Sequence, residues 1–432
     1  MKRTISIVLA VIMVLMLFSG CSAKQQQQSA SPASQTSTSS AAPAASKPVQ
    51  KAQLTFWHYF TLSTYDTIAQ FIKDYNASDK GKAVITEQYI PRNELLKRYT
   101  LGVVSNELPD IAMVDNPDSC SFAAMGMFAD ITDKFKTWSD NKYQPGPLNS
   151  GVYNNKQYTL PIRSNCLSLW TNNAMMSAAG IDKLPTTWDE LDAACQKLQK
   201  ANSKVYPLAF AAVKSEEGTF QFLPFLQSTG ADVNNIGSSE GVKAFTYITN
   251  LVKNKYVSAE CINWTQNDVE KQFASGNAAM MVNGCWHIPN MAKDAPDLKY
   301  TVVYIPKDKQ FTSSMGGENL GITKATKNID ASWDFLTWVL GTDNSVKFNV
   351  VSGTISPHSN ATAEMQYPKD PVMKVFIEQL AYAVPRGPHP KWPELSAAVQ
   401  DAIQQSITGA KTPETAAKDA AAKITQVNAS IK

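Results

Sequence analysis

The sequence predicts an α/β protein of two domains, and three observations carry that expectation. The chain has 432 residues, more than one domain of ordinary size. Hydrophobic residues make up 44% and charged residues 18%, which fills sizeable cores and excludes wholesale disorder. From residue 54 onwards, short β-rich runs alternate with stretches of helical periodicity, the pattern of an α/β body with a largely parallel sheet.

The first strand is Leu54-Thr55-Phe56-Trp57-His58-Tyr59, rich in aromatic and β-compatible residues. Residues 64–76 follow with Ile68, Phe71, Ile72 and Tyr75 at helical spacing. Residues 83–90 read as a second strand, 94–105 as a helix and 110–114 as a third strand. The alternation resumes after residue 160. Thr187 and Glu190 have the spacing of a capping box at a helix start, and 205–212 is a strand. Residues 239–254 and 268–275 are amphipathic helices, with a buried strand at 278–282. Helices at 330–340, 392–407 and 412–427 complete the chain. Trp188, Trp333 and Trp338 fall on apolar helix faces and are expected in cores.

The N-terminus is an address. Lys2 and Arg3 precede an apolar run from Ile5 to Phe18, closed by Ser19-Gly20-Cys21. This resembles a bacterial lipoprotein signal, with Phe18 where the pattern usually has Leu, and it implies lipidation of Cys21. The run is short for a bilayer span. Residues 22–50 are mainly Ser, Ala, Gln, Thr and Pro without an aromatic, too polar to bury a core, and read as a flexible tether. Cleavage before Cys21 would remove Lys2 and Arg3 from 40 basic side chains, leaving 38 against 37 acidic ones. A nearly neutral body does not bind nucleic acid by counterion release. After Cys21 five cysteines remain, Cys120, Cys166, Cys195, Cys261 and Cys285, and their spacing singles out no disulfide pair.

No P-loop, GxGxxG, HExxH or GxSxG motif is present, so catalysis has no motif behind it. His58, His287, His358 and His389 lie far apart and are read as structural, with no metal cluster expected. Asp115-Asn116-Pro117-Asp118 lacks the glycine and distal glutamate of a calcium loop.

Several segments in order carry a resemblance. They are Leu108-Pro109-Asp110-Ile111-Ala112-Met113-Val114-Asp115, Asn155-Lys156-Gln157-Tyr158-Thr159-Leu160-Pro161 and Leu169-Trp170-Thr171-Asn172-Asn173. Leu184-Pro185-Thr186-Thr187-Trp188-Asp189-Glu190-Leu191 and Phe273-Ala274-Ser275-Gly276-Asn277-Ala278-Ala279-Met280-Met281 with Gly284 and Trp286 follow. Gly316-Gly317 to Ile322, the Trp333 helix, and Pro385-Arg386 with Gly409 complete the set. Together they resemble the carbohydrate-binding, maltose-binding-protein-like branch of the extracellular solute-binding proteins of ABC importers.

The resemblance implies a periplasmic-binding-protein-like fold of two discontinuous lobes, closing about a cleft by hinge motion. The expected layout is a signal at 1–20, a lipid-anchored linker at 21–51, an N-terminal lobe of 52–162 plus 317–354, and a C-terminal lobe of 163–316 plus 355–432. Chain crossings are expected near residues 161–163, 315–317 and 353–356. A sugar needs aromatic platforms and planar polar side chains. Trp57 and His58 at the end of the first strand are candidates, as are Asp115 and Asn116 after the third. Arg163 and Ser164 at the first crossing, Phe220 and Gln221, Glu318 and Asn319 after the glycine pair, Arg386 and Trp392 are the others, with Trp286 foremost. The implied function is capture of a sugar or oligosaccharide and delivery to an ABC permease. The protein would be a monomer at the extracytoplasmic face, touching membrane only through its lipid, with no cofactor, metal, nucleic-acid partner or catalysis. Alternatives are a phosphorylated or anionic solute bound by Arg163 and Arg386, a ligand-sensing subunit and, remotely, a secreted glycoside hydrolase using carboxylates such as Asp115 and Glu318.

Overall fold

Alternation sets the first strand. In β1 (Ala52–His58), Leu54, Phe56 and His58 are buried on one face while Trp57 points to the other. The computed structural model describes residues 51–431. Further strands are β2 (Ala83–Tyr89), β3 (Ile111–Asp115), a hairpin of β4 (Val152–Tyr153) and β5 (Lys156–Gln157), and β6 (Thr159–Pro161). Then come β7 (Asn165–Asn172), β8 (Tyr206–Ala209), β9 (Ala278–Gly284), β10 (Tyr300–Val303), β11 (Ser313–Gly316), β12 (Glu318–Ile322) and β13 (Ala383–Pro385).

These strands make two main sheets, one for each lobe of an α/β fold. The first runs β2-β1-β3-β12-β6, and the second runs β13-β11-β7-β9-β8 with β10 also on β7. In β3, Ile111 and Met113 enter the core beneath helices Leu62–Ala77 and Ile329–Leu340, while Ala112 and Val114 face the core that includes Tyr99 and Phe122. Both faces are covered, so the strand reads as a continuous apolar run. The same holds for β7, buried along its whole length, with Leu167 and Leu169 on one core and Cys166 and Trp170 on the other.

The expected largely parallel sheet is corrected to two mixed ones. β1 is parallel to β2 and β3, but β12 is antiparallel to both β3 and β6. In the second sheet β7 is antiparallel to β9, β10 and β11. The reason is connectivity: β12 arrives directly from the other sheet instead of through a crossover helix, so nothing fixes it parallel. Passage between the sheets occurs at residues 162–164 and at Gly317, and the first of these runs beside Ile355. Ser164 and Ile355 exchange backbone hydrogen bonds of 2.7 and 2.9 Å, and the Ile162 amide donates to the Glu318 carbonyl at 2.9 Å. Residues 357–359 then lie against Lys142 and Gln144.

Most expected helices form within two residues of their expected ends, and Trp188 is core. Trp333 and Trp338 are only partly buried, packed at the margin of the first core. The capping box expected at Thr187 is half formed: its hydroxyl accepts from the Glu190 amide at 3.2 Å, but the Glu190 carboxylate bonds Thr186 instead. A reciprocal box closes at Thr265 and Asp268, at the start of helix Gln266–Ala274. Among the described residues, all five cysteines are buried and free. Among the described residues, no helix is long and apolar enough to cross a membrane.

Candidate functional site

The carboxyl ends of parallel strands β1, β2 and β3 open onto a cavity of about 290 Å³ whose far wall belongs to the second lobe. Tyr59 and Phe60 reach it just beyond β1, Tyr89 and Arg92 at and beyond the end of β2, and Asp115 at the end of β3. Glu318, the first residue of β12, pairs in register with Asp115. The far wall is built from Glu216, Glu217 and Phe220 on helix Glu216–Ser228, Gln266 and Asn267 on the next wall helix, Trp286 in a single 3₁₀ turn, and Arg386 after β13. Ser215 caps the first of these helices, accepting from the Glu217 amide at 3.3 Å. Acidic residues in a first helical turn suit the positive end of the helix dipole, so two carboxylates stand at the cavity.

Ion pairs organise this wall. The Arg386 guanidinium grips both Asp115 oxygens at 3.0 and 2.7 Å and donates to Glu216 at 2.8 Å, joining the first lobe to the second. It lies 4.4 Å over the Phe220 ring. Burial alone would lower its pKa, and the carboxylates Asp115 and Glu216 outweigh burial and raise it. Glu216 also accepts from the Trp392 indole at 3.0 Å and from the Ser396 hydroxyl. Arg163 forks onto Glu318, one arm at 2.6 Å, and sits 5.1 Å over Phe60. Arg92 donates to Asp118 at 2.8 Å and to Asp115 at 3.3 Å. Burial pushes the Asp118 carboxyl upward against the pull of Arg92. Glu217 has no cation partner among the described residues; burial raises its pKa, and it accepts from the Gln266 amide at 2.6 Å.

Of the residues singled out in the sequence, Asp115, Arg163, Phe220, Trp286, Glu318 and Arg386 come together on the cavity. The others are placed elsewhere. Trp57 stacks on Tyr99, ring centroids 6.2 Å apart, behind the sheet edge. His58 is fully buried; its Nδ1 accepts from the Phe60 amide at 3.2 Å, which leaves Nε2 to donate to Glu87 at 2.9 Å. Both residues still belong to β1, where their side chains are directed into the lobe's packing, and Tyr59 and Phe60, just beyond its end, reach the cleft. Asn116 and Asn319 bond each other at 2.7 Å in a buried knot with Ser119, Ser150 and Thr159. Ser164 is spent on the strand-like pairing with Ile355, Gln221 is buried behind Phe220, and Trp392 supports Glu216 from the core. Cys21 lies outside the described residues. Among the described residues no group of three or more His, Cys, Asp or Glu is placed to hold a metal.

Sequence reasoning missed Tyr59, Arg92, Glu216 and Glu217. Ser215-Glu216-Glu217 carries a usable signal, a capping residue followed by two acids, but Pro224 inside the helix hides the element that presents them.

This geometry belongs to a protein that holds a small solute between two lobes. A profile of the bacterial extracellular solute-binding proteins matches residues 70–375, and the chain belongs to that family. The maltodextrin-binding protein of Bacillus subtilis is 20% identical over 385 residues, 83% of this chain and 88% of its own. The solute-binding protein of an ABC transporter from Thermotoga lettingae, solved with α-D-tagatose, is 25% identical at TM-score 0.79, covering 87% of this chain and 100% of that one. The GacH receptor of Streptomyces glaucescens, solved unliganded and with acarbose, shares the fold at TM-score 0.80 and 21% identity, covering 89% of this chain and 100% of its own.

Proposed function

We propose that this protein captures a neutral sugar or short oligosaccharide between its lobes and delivers it to the permease of an ABC importer. The observation that carries the reading is the cavity wall itself: Trp286, Phe220, Tyr59 and Tyr89 offer ring faces, and carboxylate and amide groups between them suit hydroxyl pairs. Its volume of about 290 Å³ fits the small end of ligand sites, which run from roughly 300 Å³. The sugars bound by the tagatose and acarbose proteins and the maltodextrin-binding name point the same way. Arg163 and Arg386 are each already neutralised by carboxylates, which argues against an anionic solute.

Binding is reversible and without turnover. Asp115 and Glu318, the pair a hydrolase would use, are both engaged by arginine, and neither stands as an unpaired acid beside open space. The protein acts as a monomer at the extracytoplasmic face, held to the membrane by a lipid on Cys21 after removal of the signal peptide. Thermal shift and calorimetry over D-tagatose, maltose, maltotriose, acarbose and diacetylchitobiose, with glycerol 3-phosphate as the anionic control, test the reading. A sugar raises the melting temperature and is recovered intact. Stabilisation by the phosphate ester alone, or release of a cleaved product, overturns it.

A further inference from the structure

Two glycines beside the cavity have backbone conformations that any residue adopts. Gly284 ends β9 at φ −96° and ψ 167°. Gly316, in β11, also lies outside the left-handed region, unlike its neighbour Gly317 at +142°. Neither needs to be glycine for the sake of its own dihedral angles. What each provides is space. A Cβ built on Gly284 would lie 1.9, 2.1 and 2.3 Å from Cζ3, Cη2 and Cε3 of the Trp286 ring, and one on Gly316 would lie 2.9 Å from Phe220 Cζ and strike the Asn165 amide oxygen. Asn165 lines the cavity and its side chain makes no hydrogen bond among the described residues, whereas the Phe220 ring is held under the Arg386 guanidinium at 4.4 Å. The two rings so seated meet at 6.2 Å between centroids and 44° between planes.

We propose that Gly284 and Gly316 are positioning residues for the aromatic wall: the absence of their side chains forms the slots in which Trp286 and Phe220 lie. The effect on affinity rests on the sugar-capture reading, but the seating is a property of the ligand-free protein. A methyl group at either position displaces a ring by an ångström or so, and a stacking contact that depends on one ring plane does not tolerate such a shift.

The test uses the mature chain labelled with 5-fluorotryptophan, in which Trp286→Phe identifies the Trp286 ¹⁹F resonance. Gly284→Ala moves that resonance and leaves the other tryptophans in place. Calorimetry with D-tagatose, maltotriose and acarbose as probes then shows Gly284→Ala weakening the bound probe by about tenfold or more. In a Trp286→Ala background the same glycine change costs no more than about twofold, because the ring it displaces is gone. Gly316→Ala behaves alike against Phe220→Ala. An unmoved Trp286 resonance, or an equal loss of affinity in the Trp286→Ala background, overturns the proposal. If Gly284→Ala does not fold, Gly284→Ala/Trp286→Ala must fold by circular dichroism; failure of the double variant assigns the glycine to the backbone and also overturns it. Should the wild type bind none of the three sugars, the resonance decides the seating by itself, and the missing affinity counts against sugar capture.

Discussion

Trp286 is partly buried, with Phe220 6.2 Å away and its remaining surface on the cavity. Truncating such an anchor forfeits apolar burial on ligand binding, so Trp286→Ala weakens sugar binding by about 2–4 kcal/mol while the fold survives. Calorimetry beside a urea melt separates the two effects. Arg386 is a different kind of residue, its side chain 4% exposed between two carboxylates of 13% and 10%. Arg386→Met leaves Glu216 without a cation and Asp115 with Arg92 alone, and costs about 3–5 kcal/mol of stability. Arg98→Ala, which removes an exposed pair with Glu94, costs less than about 1 kcal/mol in the same denaturation series. His287, fully buried and with no partner for Nε2 among the described residues, is pushed by burial from 6.5 down to about 3. The unfolded chain takes up a proton there that the native state refuses, so stability present above pH 6.5 is lost as the pH falls towards 3. The His287 contribution to the slope reaches at most about 1.4 kcal/mol per pH unit. His287→Gln should flatten the stability profile between pH 6.5 and 5, before the carboxylates dominate; equal slopes in both proteins would remove His287 as its source.

Among the elements, helix Gln266–Ala274 delivers Gln266 and Asn267 to the cavity and is fixed at its start by the Thr265–Asp268 box. Thr265→Ala leaves amides at the helix entrance unsatisfied and lowers stability by about 1 kcal/mol, measured by urea unfolding. Hydrogen exchange at residues 266–269 should quicken more than exchange in helix Trp392–Ile407. The elements whose pattern is local were legible in the sequence: alternation around Leu54 and Phe56, and the apolar stripe of helix Trp392–Ile407, whose ends are those expected. Helix Glu216–Ser228 was not, because Pro224 interrupts its pattern and almost every side is buried, leaving no polar face to set a period. That helix carries much of the far wall, so its loss from the sequence reading also took Glu216 and Glu217 from the candidate site.

At the scale of the whole molecule, residues 22–50 precede a folded body that begins at β1. The sequence reading of this segment as a tether predicts that its deletion leaves ligand affinity unchanged, a result calorimetry on the truncated protein checks. Cys21→Ser should release the protein from membrane fractions or leave it unprocessed; unchanged fractionation as a mature, anchored protein would reject the lipid anchor. Arg386 joins Asp115 of one lobe to Glu216 of the other, so its variants should alter the hinge as well as stability, seen as a change in the scattering difference between ligand-free and sugar-saturated protein.

The sequence by itself determined the α/β class, the strands and helices with clean periodicity, the family motifs with the cavity residues they contain, Asp115, Trp286, Glu318 and Arg386, and, outside those motifs, Arg163 at the expected crossing and Phe220. Only the tertiary structure decided strand direction and side-chain destination. β12 enters antiparallel because the chain comes straight from the other sheet, a fact of connectivity that no window of residues contains. His58 and Asn319 sit within one or two residues of cavity-lining positions, yet turn into the lobe because side chains alternate along a strand and the register decides which reach the opening. Arg386 and Asp115 lie far apart in the chain and meet only where two sheets present their edges to one cleft.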